Sequence, residues 1–345
     1  MASPNTVANR VFRTGLGLSV LLSCSVFPAF AQNNVCKMVN IGRLPGAVIT
    51  YATGINGDGQ IVGVSGNHAF SYHGSKMKNL GTLGGATAYA YGINNSRQIV
   101  GFSDLKSGVT HAFLYESGMM KDLGTLGGAN SFAYGINDAG QIVGQAQTTS
   151  GAYHAFLYQH GGMMDIGTFA GDNSVAYRIN NNGVIVGSSY INATDFHAFS
   201  YQNGMMKDLG TGPGMTDSEA FGIDDAGKIV GYSETADSSQ VRGFLYQNGK
   251  LANLGTLGGN ESFAADVNKH NVIAGYATLG NGDFHSTVYV PGITFDIGTL
   301  PGDVASFALA MNNRNQIVGY SSAPSGEAKA YVCKFTGGDS EKDGD

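Results

Sequence analysis

Short apolar runs alternate with polar turn residues along this chain, and the alternation repeats. Within residues 131–167 the runs occupy 131–137, 141–144, 154–158 and 163–167. Each is bounded by Gly, Asn, Asp or Ser and reads as a β-strand, none being long enough for a stable helix. Ile142-Val143 and Phe156-Leu157-Tyr158 put bulk on both faces, the pattern of strands covered on both sides. A four-stranded antiparallel meander is therefore predicted.

The unit recurs seven times. A Gln-Ile-Val-Gly-like run closes at Gly63, Gly101, Gly144, Gly187, Gly231, Gly275 and Gly319, in steps of 38, 43, 43, 44, 44 and 44 residues. A period in the forties built from short strands marks a propeller or a related array. The expectation is an all-β, seven-bladed propeller of four-stranded antiparallel blades over residues 32–336. Between the first two strands of each copy, the position requiring positive φ holds Gly59, Gly140, Gly183, Gly227, Asn271 and Asn315, residues that tolerate it. Arg97 is the exception, and a strained or rearranged turn is expected there.

The last copy holds three strands, and the chain from Met38 to Gly42 reads as an orphan fourth strand. Docking it on the last copy closes the ring and removes an open edge. That places Cys36 and Cys333 on two arms of one hairpin, within disulfide range.

Residues 1–31 carry Arg10, Arg13, an apolar stretch and Ala29-Phe30-Ala31, the pattern of a signal peptide cleaved after Ala31. Leu22 suits a lipidation site at Cys24 poorly. A secreted or periplasmic chain follows, in which disulfides persist. Without the two leader arginines, 17 basic residues face 25 acidic ones, a net charge of −8. Such a surface repels phosphate backbones, so nucleic acid is not an expected partner. No other stretch reads as a membrane span. The tail 337–345 is acidic and reads as disordered, and the product is expected to be a monomer.

His-Ala-Phe occurs at His68, His111, His154 and His197, ahead of Gly-Thr-Leu-Gly-Gly segments such as Asp122 to Gly128. These motifs resemble the HAF-repeat family of extracellular bacterial repeat proteins, over essentially the whole mature chain. The triplet drifts to Arg242-Gly-Phe, His285-Ser-Thr and Lys329-Ala-Tyr in later copies. The resemblance implies a secreted or surface repeat protein and brings no catalytic residues with it.

The recurrent histidines do not read as a metal site. Equivalent third-strand positions around a propeller lie more than about 10 Å apart, whereas ligands sit within about 2.3 Å of one ion. Structural hydrogen bonding is expected of them. The methionine pairs 119–120, 163–164 and 205–206 read as packing at the rim. The Asn-Asp-Ala-Gly turns lack a calcium ligand set, and Gly-Thr-Leu-Gly-Gly is no phosphate loop. No metal, cofactor or catalytic residue is assigned.

Where the copies differ, a site is expected. The second-to-third-strand loops 103–110, 145–153, 188–196, 233–241 and 277–284 vary on one face. The candidate ligand-binding residues there are Asp104, Tyr153, Tyr190, Asp195, Glu234, Asp237 and Asp283, with Asp217 and Glu219 from a crossing. A rigid frame with variable loops suits binding. The expected function is a non-enzymatic binding or scaffold module for a glycan, peptide or surface protein. The alternative is a polysaccharide hydrolase or lyase using paired loop carboxylates. The absence of Trp weakens a sugar site.

Overall fold

Strand bulk on both faces is satisfied by stacking sheet on sheet. In the third copy Ile142 and Phe156 pack against Val100 and Ala112 of the preceding copy, while Val143 and Ala155 pack against Ile185 and Phe199 of the next. Phe70, Phe113, Phe156, Phe199 and Phe244 are fully buried in this way. Each contributes about 1.5–3 kcal/mol of burial.

The computed structural model describes residues 35–336, which belong to one compact unit and whose regular structure is all strand. The expected leader, its cleavage after Ala31, Cys24 and the tail 337–345 lie outside the described residues. No helix among those described is long and apolar enough to cross a membrane.

Strand pairing gives five separate four-stranded sheets and one of eight strands. Four of the separate sheets occupy residues 50–79, 84–122, 127–167 and 174–210; the fifth runs Val39–Asn40, Ala328–Lys334, Gln316–Ser322, Ala305–Met311. Residues 217–296 form the eight-stranded sheet, two meanders joined by a parallel pairing of Val241 with Glu261. The expectation of seven discrete blades is thereby corrected. The propeller has five blades of four strands, and two of the sequence copies merge into one continuous sheet.

At three junctions between separate sheets, Asn or Asp ahead of the first-strand serine reaches back to the preceding copy. Thr110 N donates to Asn130 Oδ1 (3.0 Å), Tyr153 N to Asn173 Oδ1 (2.9 Å) and Phe196 N to Asp217 Oδ1 (2.9 Å). At the merged junction that residue is Glu261, one methylene longer, and the backbones pair directly. The serine that follows is a second staple. Ser131 Oγ accepts from Ala112 N (2.8 Å) and donates to Gly124 O (2.5 Å), and Ser174 and Ser218 repeat the arrangement.

A bulge sits in the first strand of every copy, at Tyr134 in the third, where register shifts between Ala133 and Gly135. A bulge bends its strand and re-aims a side chain. It also explains the recurring Gly of Gln-Ile-Val-Gly. A Cβ on Gly144 would lie 1.9 Å from Phe132 O, and one on Gly187 would lie 1.9 Å from Val175 O. Only a residue without a side chain fits beneath that carbonyl.

The ring closes as expected. Val39 pairs with Val332 and Asn40 with Tyr331, and Cys36 is bonded to Cys333 with Cα atoms 5.4 Å apart. Tyr51 of the first copy packs edge-on against Tyr320 of the last at 4.5 Å. The disulfide joins residues 297 apart and constrains the unfolded chain by up to about 5 kcal/mol. Arg97 is strained rather than rearranged: its φ is 64°, and its N–H still donates to Asn94 O at 3.0 Å, as Gly140 does to Asn137.

Gly144→Ala is expected to cost at least about 1–3 kcal/mol in urea denaturation, whereas Gly162→Ala, with no close neighbour and ordinary φ, stays within about 0.5 kcal/mol. Arg97→Gly relieves a left-handed conformation costing about 1–2 kcal/mol, against a glycine entropy loss of about 0.5–1 kcal/mol. A net rise of about 0.5–1 kcal/mol in the same assay is the expected result.

Candidate functional site

The first strands are innermost, and their ends enclose an axial cavity of about 320 Å³ on the tight-turn face. Its wall is a ring of isoleucines, Ile55 through Ile223, capped by the Asn or Asp that ends each first strand. The asparagine amides join these turns around the axis. Asn94 Nδ2 donates to Asn137 O (3.0 Å), Asn137 to Asn180 O (3.1 Å) and Asn180 to Asp224 O (3.0 Å). Asn312 Nδ2 closes the circle on Asn56 O at 2.9 Å, across 256 residues. Asp224 cannot donate in this way, and its carboxylate instead accepts from Lys228 N and Nζ (2.8 and 2.9 Å).

Nearer the loop face, aromatic rings encircle the axis. Tyr91, Tyr134, Tyr177 and Phe221, each at its copy's bulge, follow one another at centroid separations of 5.4, 5.7 and 5.0 Å. From Phe221 the contacts run through Tyr232, Phe263, Tyr276, Phe307 and Tyr320. Tyr51 follows and lies close enough to Tyr89 to raise its hydroxyl pKa, after burial itself.

Polar groups interrupt this belt over one arc. Glu219 stands where other copies place Tyr51, Tyr89, Phe132, Val175, Phe263 or Phe307. Its carboxylate accepts from Tyr177 Oη (3.3 Å) and Ser188 Oγ (3.4 Å), and Gln145 Nε2 donates to Tyr134 Oη (3.1 Å). Burial pushes the Tyr177 hydroxyl well above its ordinary value, and the charge of Glu219 adds to the shift. Tyr276 is raised first by burial, then by Glu261 and Glu219. The negative potential of Glu219 thus reaches several rings.

Beneath the belt, the position after each bulge is Gly54, Gly92, Gly135, Arg178, Gly222, Asp266 and Ala310 in turn. The glycines answer crowding by the next copy: a Cβ on Gly54 would lie 2.7 Å from Tyr91 O. Arg178 and Asp266 break the pattern together, with Arg178 Nη2 3.5 Å from Asp266 Oδ2. Gly222, between them in sequence order, has no side chain to intervene. Asp266 also accepts from Met311 N and Val267 N, each at 3.0 Å. Burial raises the Asp266 carboxyl; Arg178 and these two amides draw it back.

The nine sequence-predicted residues divide accordingly. Asp104 accepts from Thr87 and Thr110 hydroxyls (2.6 and 2.9 Å). Asp195 accepts from Asn192 and Thr194 (both 2.9 Å), which lower its carboxyl pKa in that order. Asp237 accepts from the Thr235 hydroxyl (2.7 Å) and Ser239 N (3.0 Å), which hold it at about 2. Asp283 accepts from Asn281 at 2.8 Å. Each of these four is engaged within its own repeat. Tyr153 accepts from Asn130 at 3.4 Å, and Tyr190 packs its ring 5.7 Å from Phe196. Asp217 is the buried inter-sheet clamp and pairs in register with Glu234. Glu219 is the one member of the nine in the axial belt. Arg178, Asp266, Gln145 and Ser188 were missed, although aligning the copies exposes Arg178 and Asp266 as charges in a glycine column.

Three of the four His-Ala-Phe histidines, together with His285, are hydrogen-bonded within their blades, whereas His68 is exposed and has Asn79 in place of the paired aspartate. His111, His154, His197 and His285 place Nδ1 at 2.8, 2.7, 2.8 and 2.9 Å from Asp122, Asp165, Asp208 and Asp296. The same aspartates accept from the glycine two residues on, which starts each crossing. No cluster of three metal-ligating side chains occurs among the described residues. Of the methionine pairs, Met120, Met163 and Met206 pack inward, while Met119 and Met205 are more than 70% exposed.

No family model matches the sequence, and comparison with curated proteins finds none similar. Solved structures do resemble it. The β-propeller domain of the Trilobed protease from Pyrococcus furiosus, described as having an open velcro topology, superposes with a TM-score of 0.58 at 9% identity, covering 86% of this chain and 95% of that one. Puromycin hydrolase gives 0.56 at 10% identity over 85% of this chain and 52% of its own. TolB from Acinetobacter baumannii gives 0.46 at 13% identity over 69% and 63%. The chain thus spans about half of the hydrolase and under two thirds of this TolB. At these identities the likeness shows the propeller fold alone.

Arg178→Met is expected to destabilise the chain by about 1–3 kcal/mol at neutral pH, by removing one partner of a shielded pair. A carboxyl whose folded pKa is raised stabilises below its unfolded pKa and loses that contribution as pH rises. Removing Arg178 raises Asp266 further, so the deficit against the parent should shrink as pH falls from neutral towards about 4, where the carboxyl is protonated in both folded chains. Urea denaturation across pH checks it.

Proposed function

We propose that this chain is an exported, non-enzymatic binding or scaffold module of the HAF-repeat type. Its partner, a glycan, peptide or surface protein, meets the loop face. The observation that carries this reading is the bonding of the loop carboxylates. Asp104, Asp195, Asp237 and Asp283 each accept hydrogen bonds within their own repeat. Such bonding fixes loop shape before a partner arrives, which lowers the ordering cost of association. Hydrolysis by two carboxylates instead needs both to face one bond, about 5–9.5 Å apart. The Cys36–Cys333 disulfide suits an oxidising compartment outside the cytosol. The HAF-type triplets add the same location by resemblance.

Arrays of glycans and peptides, probed with the mature chain and with Asp195→Ala, Asp237→Ala and Asp283→Ala, provide the test. The expected outcome is saturable binding weakened at least about tenfold by one or more substitutions, with no product released. Glycan cleavage abolished by a single carboxylate substitution would instead establish the hydrolase or lyase alternative.

A further inference from the structure

We propose that a groove on the tight-turn face, between the third and fourth copies, is a binding site for a neutral sugar residue. The occupant is one hexopyranose unit of a free oligosaccharide or a larger glycan, resting on Tyr201 and held by side-chain amides. The groove lies on the face opposite the variable loops and so goes beyond the reading of the loop face as the place where a partner binds.

One column of the fourth strands accounts for the opening. Lys78 pairs with Ser71, Lys121 with Leu114 and Lys207 with Ser200. Each lysine reaches the next copy, where Nζ donates to the hydroxyl of Tyr115, Tyr158 or Tyr246 at 2.9, 3.2 and 3.1 Å. The same ammonium groups lie 5.6–5.8 Å from the tyrosine ring centroids. In the third copy the equivalent residue, pairing with Leu157, is Met164. It has no N–H to donate and is 43% exposed. Tyr201, which occupies the place of those three tyrosines in the fourth copy, therefore meets no lysine at its ring or hydroxyl. A groove of about 440 Å³ opens there, within the range of about 300–1,000 Å³ usual for small-molecule sites.

The lining matches a sugar in chemistry. Tyr201, Leu157 and Met164 supply ring and apolar surface, amides surround them, and none of the lining residues is charged. Gln141 Nε2 donates to Gln159 Oε1 at 2.8 Å, which leaves the Gln159 amide nitrogen as a donor. Val184 stands in the fourth copy where Gln141 stands in the third, so Gln202 lacks the corresponding partner. Its Nε2 reaches only Asn182 O, at 3.5 Å, and its Oε1 remains an acceptor. A pyranose presents C–H groups on one face and hydroxyls along its edge. The C–H groups suit the negative face of an aromatic ring, and amides both donate to and accept from hydroxyls. An ion would find no counter-charge in this groove, and a wholly apolar ligand would bury the amides without partners. A peptide gains most by pairing along a free strand edge, whereas this groove is walled by the ends of hairpins from two copies.

Saturation-transfer difference NMR on the mature chain tests the site with maltose, cellobiose and diacetylchitobiose. Digalacturonate serves as the anionic comparison and acetyl-trialanine amide as the neutral peptide. At least one neutral disaccharide is expected to bind saturably at millimolar or lower concentration, with digalacturonate weaker by about tenfold or more. Met164→Lys restores the lysine column and should weaken the disaccharide by at least about tenfold without lowering the thermal midpoint. Tyr201→Ala should weaken it similarly, and Lys250→Gln should leave it unchanged. Should either groove variant unfold, nuclear Overhauser contacts between sugar C–H protons and the Met164 methyl group in the parent chain decide the matter. Absence of disaccharide binding, insensitivity to Met164→Lys, or equal affinity for digalacturonate would overturn the site. Peptide binding that is lost in Met164→Lys, in place of sugar binding, would overturn it too. Failure here with loop-dependent binding on the arrays intact leaves the loop-face reading standing, whereas groove binding without any loop dependence supports the groove and removes that reading.

Discussion

One steric constraint organises the repeat. The bulge in each first strand tilts a backbone carbonyl onto the second strand, into the volume that a side chain would otherwise fill. In the third copy Phe132 O stands there, above Gly144. The bulge re-aims Tyr134 and its equivalents toward the axis, so the glycine in the second strand and the aromatic belt are two consequences of one backbone irregularity. Interiors packed like organic crystals have no slack to absorb an extra carbon at such a point.

Polar staples take over where apolar packing ends. Serine hydroxyls and Asn or Asp side chains satisfy buried backbone groups between successive sheets, as burial of such groups demands. Asparagine at 130 and 173 bonds across separate sheets, whereas at Glu261 the backbones themselves pair and the sheets fuse. At the turn face the asparagine amides do the same work around the axis, ending in the bond from Asn312 to Asn56 that, with the disulfide, holds the first and last copies together.

Departures from the repeat gather along the axis. The rim repeats faithfully, with His–Asp pairs and Lys–Tyr contacts recurring from copy to copy. Inside, Glu219, Gln145, Ser188, Arg178 and Asp266 replace aromatic or glycine equivalents and lie on one arc. A scaffold that tolerates near-identity everywhere else concentrates its individuality there and in the loops, whose carboxylates are held in shape by their own neighbours.

The sequence alone determined the strand class, the repeat length, the positive-φ turn positions, the closing pair Cys36–Cys333 and the structural use of the histidines. All of these depend on spacing within one copy or on equivalence between copies, which a one-dimensional pattern carries. Only the tertiary structure decided how the sheets divide, because a parallel pairing of Val241 with Glu261 joins residues whose local sequences resemble every other junction. It alone brought Arg178 to Asp266 and separated Glu219 from the loop carboxylates with which it was grouped. Those relations link side chains from different copies across a shared axis, and distances across an axis are set by how sheets stack rather than by the order of residues along any strand.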